Sequence, residues 1–222
     1  MRHSTAAKAP NTEVRMPHQF ETDVMITDVS PHMHMLIFLV ALPGQILFGV
    51  ASMTYSMDHA GRLPSFRDWL YVKAGDLSTG KLYPYLGSKG AYMCPTDRLE
   101  LNSRKKITVA GGQGPMRTGK RDYSYAMNCG ICHQTDTSKF IEPSKTMIYM
   151  EAVMASDDYT GMVGPRMVSE TLAVRHNKRG HLVYGDLHLE TLNKKSFDPL
   201  IKQKRFWFPT DDTSGPGGNM LF

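Results

Sequence analysis

The feature that most limits what this chain can become is the stretch over residues 35–53, MLIFLVALPGQILFGVASM, nineteen residues without a charge. A run of that length just reaches the roughly 20 apolar residues that cross a bilayer as one helix. Pro43-Gly44 interrupts it, and Gly, Ser and Gln dilute its second half. Three arrangements are open: a membrane-inserted helix, a buried core helix, and a helix with its first half in lipid and its second half on a domain. The expected division is an apolar helix over 32–60 and a globular domain over 61–209. Residues 1–31 are polar and aperiodic and read as a flexible tail, as does the Gly-rich segment 210–222. No apolar stretch follows the first basic residues, so the start does not read as a secretory signal peptide.

After Asp58 the texture changes. Gly61, Pro64, Gly75, Gly80, Pro84 and Gly87 divide the chain into short segments, and residues 99–121, basic and Gly-rich, read as a surface loop. Strands are expected over 123–127, 146–151 and 182–192. The last, LVYGDLHLETL, alternates throughout, as a half-buried antiparallel strand does. A formal charge of +5 over 222 residues, from 26 basic and 21 acidic side chains, is mild and scattered. Nucleic-acid binders gather such charge on one face beside stacking aromatics, so nucleic acid is not an expected partner. No Ser–His–Asp order, phosphate loop or dinucleotide fingerprint is present. Glu142, Glu151 and Glu170 sit in no catalytic pattern, and no enzymatic activity is expected.

Several short blocks occur in order. Gly49-Val50-Ala51 is followed by Tyr55, Asp58-His59, Gly61 and Leu63-Pro64. Trp69, Gly80-Lys81-Leu82 and Pro84-Tyr85-Leu86 precede Tyr92-Met93-Cys94-Pro95-Thr96-Asp97. Ser124-Tyr125-Ala126-Met127-Asn128 comes next, then Pro143-Ser144-Lys145-Thr146 with Glu151, then Arg175-His176 and Asp186. Together these resemble the bacterial pilin-like proteins, specifically the pseudopilin group that carries a C-terminal H-x9-D-G motif. His176 and Asp186 stand in the H-x9-D relation, and His188 matches the His of the D-G-H-V ending.

The resemblance implies an α+β, pilin-like fold: a long N-terminal helix on a small antiparallel sheet, with irregular connecting loops. It implies a non-enzymatic structural or interaction subunit of the cell envelope, related to type II secretion or type IV pilus machinery. Such a subunit would lie in the inner membrane or on its outer face, with other pilin-like subunits as partners and membrane contact through 35–53. The resemblance does not extend to the family's basic leader and Phe-Thr-Leu-Ile-Glu start, so processing by the prepilin peptidase does not follow from it. Leu187 also replaces the Gly of D-G. A Gly there would permit positive φ, so the chain either lacks that turn or makes it with strain.

Two constellations carry chemistry of their own. Cys129-Gly130-Ile131-Cys132-His133 has the C-x-x-C-H spacing of c-type haem attachment, in which two thiols take the vinyl groups and His binds iron. It makes a mono-haem electron-transfer protein the alternative function. The plainer alternative is a disulfide from Cys94 to Cys129 or Cys132 in an oxidising compartment. His176, His181, Asp186 and His188 fall within thirteen residues. Asp186 and His188, on one strand face, could share a zinc-like ion with His176, or Asp186 could close a turn by bonding the His176 ring or loop amides. Asp211-Asp212 offers two carboxylates for calcium, which takes six to eight oxygen ligands.

Overall fold

The second half of the uncharged run forms helix α1, Gly44–Asp58. Gln45, Phe48, Ala51, Ser52 and Tyr55 lie on its buried face, the three- and four-residue spacing that gives a helix one buried stripe. Val50 and Met57 remain exposed. The structure, a computed structural model, describes residues 44–103, 121–154, 161–165 and 171–213. The expected tail over 1–31, the first half of the apolar run and most of the segment 210–222 lie outside the described residues. Among the described residues no helix is long and apolar enough to cross a membrane.

The sheet beneath α1 has five strands: β1 Tyr125–Asn128, β2 Met147–Glu151, β3 Met162–Val163, β4 Gly180–Tyr184 and β5 Leu189–Leu192. Their order is β3-β1-β2-β4-β5. All pairs are antiparallel except β1 with β3, which runs parallel. The chain is thus α+β with a mixed sheet. β1 and β2 are buried along their whole length, and α1 crosses β2 and β4.

Phe48 is the keystone of that crossing. Its ring, fully buried, lies 5.1–5.7 Å from those of Trp69, Tyr92, Tyr125 and Tyr149. Tilted and edge-on aromatic pairs each contribute about 0.5–1.5 kcal/mol beyond the area they bury. One turn on, Ser52 Oγ shares a 2.8 Å hydrogen bond with the Tyr149 hydroxyl and so ties helix to β2. Gly49 allows the close approach: a Cβ there would stand 3.0 Å from Leu187 Cδ2 and 3.1 Å from Val183 Cγ2.

Two expectations need correction. The alternating segment 182–192 is not one strand but a hairpin, because residues 185–188 turn the chain from β4 to β5. Leu187 makes that turn at φ 71°, where an L-residue other than Gly is strained. Its N–H donates to Tyr184 O at 2.9 Å. The chain therefore makes this positive-φ turn with Leu at position 187, where the Leu187 side chain covers Gly49 of α1. Residues 99–121, secondly, are not simply a surface loop. Helix α2, Tyr83–Leu86, leads by a short turn into helix α3, Pro95–Ser103, with Pro at its first position and Asp97 in its first turn. Arg121 is buried. The remaining residues 104–120 lie outside the described residues.

The C-terminal part closes the opposite end. Helix α4, Lys194–Leu200, starts under an Asn193 cap, and helix α5, Lys204–Trp207, follows. Phe197, Phe206 and Phe208 bury their rings against the core.

Candidate functional site

The start of α3, the end of β2 and the turn before β4 meet in one buried polar cluster. Cys94 immediately precedes α3, and its N–H donates to Ser124 Oγ at 2.9 Å. Asp97, in the first turn, has both carboxylate oxygens gripped by Arg121, Nη1 to Oδ2 at 2.6 Å and Nη2 to Oδ1 at 3.1 Å. Arg121 Nη1 also donates to Tyr123 O. Planar two-point contact of this kind is what guanidinium offers and ammonium does not.

Arg175 is the hub. Its Nη2 lies 2.9 Å from Asp97 Oδ1, its Nε 3.1 Å from Glu100 Oε2 and its Nη1 3.3 Å from Glu151 Oε1. The other oxygen of Glu151, Oε2, is 2.9 Å from His176 Nε2. His176 Nε2 in turn lies 3.6 Å from Cys94 Sγ. His176 is aimed there by a tight reversal, in which Asn177 and Lys178 both have positive φ and His176 and Arg179 exchange backbone hydrogen bonds of 2.9 and 3.0 Å. Two successive left-handed residues give the type I′ geometry of a two-residue hairpin loop.

Burial sets the electrostatics. For Asp97, burial works against the charge, yet Arg121 and then Arg175 hold its carboxyl below the usual aspartate range. Arg175 is likewise opposed by burial but held protonated by Asp97 and Glu151. Burial pushes the Cys94 thiol up, with help from Glu151, while the amides of Asp97 and Thr96 pull the other way.

The expected metal set separates. His176 precedes β4 and Asp186 follows it, so five strand residues stand between them, roughly 15 Å at about 3.3 Å each. Asp186 instead accepts from the His188 N–H at 3.1 Å and meets His188 Nδ1 at 2.6 Å. It closes its turn through a loop amide and the neighbouring ring, without the His176 ring. His188 then stacks on Tyr184, with centroids 4.3 Å apart. Asp211 is taken by Arg205 at 2.7 Å rather than left open to a cation.

The other motif residues are engaged within the fold. Asp58 accepts from the Tyr85 hydroxyl at 2.8 Å, and Tyr55 stacks on His59 at 3.7 Å. Gly61 O accepts from Thr137 N at 2.8 Å, and Pro64 lies buried beside it in the chain. Tyr125 lies under Phe48. Asn128, fully buried, donates to both Met147 O and Trp207 O at 2.7 Å and accepts from Gly130 N at 2.8 Å.

Haem does not fit the C-x-x-C-H segment. Cys129 and Cys132 are buried in the core, their sulfurs 3.5 Å apart, and Cys132 Sγ donates to Cys129 O at 2.9 Å. The turn between them lies against α5: a Cβ at Gly130 would stand 2.1 Å from Trp207 O. A porphyrin could not reach both thiols unless the C-terminal segment left. The His133 ring lies 4.9 Å from that of Phe66. All three cysteines are free thiols, and Cys94 sits with His176 rather than with Cys129 or Cys132. Beside this turn a cleft of about 330 Å³ opens, lined by Arg62, His133, Asp136, Lys139 and Phe208 among others. The buried cluster of Asp97, Glu151 and Arg175 does not line it.

Arg121 escaped the sequence reading, and Glu151 entered it as a block residue without a site role. A basic Gly-rich context hid the first. The second carried a signal in its place within the Pro143-to-Glu151 block. Comparison of the chain with protein-family models, curated proteins and solved structures finds no match.

Proposed function

We propose that this protein is a non-enzymatic, pseudopilin-like subunit of the bacterial cell envelope, with structural and interaction roles. One observation carries the reading: residues of the ordered blocks are bonded to one another inside the fold. Cys94 N meets Ser124, Asn128 meets Met147 O, Asp97 meets Arg175, and Glu151 meets His176. Residues that serve catalysis converge on an accessible cleft where a reacting atom can sit. These residues instead tie the start of α3, the strands and the turn before β4 to one another, which suits a structural role. The fold supports the same reading in that α1, from the uncharged run, lies across the sheet.

Partners are then other pilin-like subunits, and the location is the inner membrane or its outer face. The test is to place a photo-crosslinking amino acid at the exposed helix positions Val50 and Met57 in a bacterium that encodes pilin-like subunits. Adducts with such subunits in the membrane fraction are expected. Protein found only in the soluble fraction, without adducts, overturns the proposal.

A further inference from the structure

Within the buried cluster, three atoms of different chemistry face one another. Cys94 Sγ, Glu151 Oε2 and His176 Nε2 all lie within 4.8 Å of each other. They come from the residue before α3, the end of β2 and the turn before β4, segments up to 82 residues apart in the chain. We propose that Cys94, Glu151 and His176 are the three protein ligands of a zinc site that pins these segments together.

The spacing is that of a tetrahedral site before the ion enters. Zn–S near 2.3 Å and Zn–N or Zn–O near 2.0 Å at tetrahedral angles place S and N about 3.6 Å apart and N and O about 3.3 Å apart. The observed separations are 3.6 Å for Cys94 Sγ to His176 Nε2 and 2.9 Å for His176 Nε2 to Glu151 Oε2. On insertion of an ion the His–Glu contact would open by a few tenths of an ångström, and Cys94 Sγ starts within 4.8 Å of the Glu151 oxygen.

Charge agrees with a dication. Among the described residues the cluster holds three carboxylates, Asp97, Glu100 and Glu151, against two guanidiniums, Arg121 and Arg175. The Cys94 thiol adds a negative charge when it binds metal and releases its proton to solvent. Arg175 is kept to Glu151 Oε1, so Oε2 stays directed at the site. The mixture of thiolate, imidazole and one carboxylate oxygen suits zinc and is poor for calcium or magnesium, which take oxygen ligands.

Access runs past His176, whose side chain is 35% exposed while that of Glu151 is fully buried. The fourth position falls on that side and would take water. His181, its ring 4.8 Å from that of His176, shields the opening, with Nδ1 held by Thr191 Oγ1 at 2.9 Å.

The test uses the full chain carrying Cys129→Ala and Cys132→Ala, so that no other thiol competes. Cobalt(II) is titrated in, followed by zinc. One cobalt per chain is expected, with visible tetrahedral bands and a near-ultraviolet thiolate-to-cobalt band that zinc abolishes. Cys94→Ser should remove the near-ultraviolet band, and His176→Gln should weaken affinity by tenfold or more, on the order seen when a ligand shell is disturbed. The proposal is overturned if the Cys94-only protein takes up no stoichiometric metal, or if the band survives Cys94→Ser. Should Cys94→Ser fail to fold by circular dichroism, unchanged affinity in His176→Gln overturns it equally.

Discussion

Replacing Arg175 by Met tests the buried cluster most sharply, because the guanidinium serves three acids and the methionine none. The losses are unequal. Asp97 keeps both contacts to Arg121. Glu100 is 31% exposed, so water can replace the guanidinium there. Glu151, with no exposed surface, loses its guanidinium and keeps the neutral Cys94 thiol and His176. Breaking a buried pair by removing one partner costs about 3–5 kcal/mol, because the other charge stays buried. With a single acid stranded, the low end applies, about 3 kcal/mol. For a domain of this size that lowers the melting temperature by roughly 6–12 °C. The assay is urea unfolding at neutral pH in chelator, so that metal linkage does not enter. Arg175→Met should lower the midpoint without changing the slope. Glu151→Gln added to Arg175→Met should cost less than the sum of the two, with a coupling of about 1–2 kcal/mol. A cost below about 1 kcal/mol, or additivity in the double variant, would refute the reasoning.

Four further outcomes are expected. Asn128→Ala leaves Gly130 N–H and two carbonyls without the Asn128 partner, so it should destabilise by about 2–4 kcal/mol in thermal unfolding. Leu187→Gly and Gly49→Ala should be non-additive by about 0.5–1 kcal/mol, since removing Leu187 Cδ2 relieves one of the two close contacts a Cβ at Gly49 would make, Val183 Cγ2 being the other; strict additivity would contradict the contact. Asp76, held by Ser78 and then Lys89, has its carboxyl lowered to about 2. Its contribution is therefore complete above about pH 3.9, the unfolded value, and lost as pH falls through the folded one. A carbon-detected titration giving an ordinary value would contradict this. Co-expression with haem-maturation factors should yield no Soret absorption, and a stoichiometric Soret band would reverse the conclusion on Cys129, Cys132 and His133.

What the sequence made readable was local. The β-branched and aromatic run over 146–151 is β2 almost residue for residue, and 123–127 overlaps β1 with a shift of one or two positions. The second half of the uncharged run is the core helix, since one face of it carries Phe48, Ala51 and Tyr55. The β4–β5 hairpin was hidden because the alternation continues through its turn and Leu187 is not a turn residue. α3 was hidden because its last residues run without a break into the basic, Gly-rich stretch that begins at Arg104, although Pro95 and Asp97 are ordinary marks of a helix start. The site was harder still. Arg121, Arg175 and Glu151 look like surface residues until tertiary contacts pair them, and no local pattern records that pairing. His176 was paired with Asp186 and His188, whereas the fold sets it beside Cys94 and Glu151. One-dimensional proximity suggested a partnership that strand geometry forbids.

The central claim is that the blocks build a scaffold for assembly with like subunits, and crosslinking from α1 in cells tests it most directly. With a photo-crosslinker at Met57, 80% exposed, the account predicts adducts with pilin-like subunits in the membrane fraction. A soluble protein that forms no such adducts would contradict it.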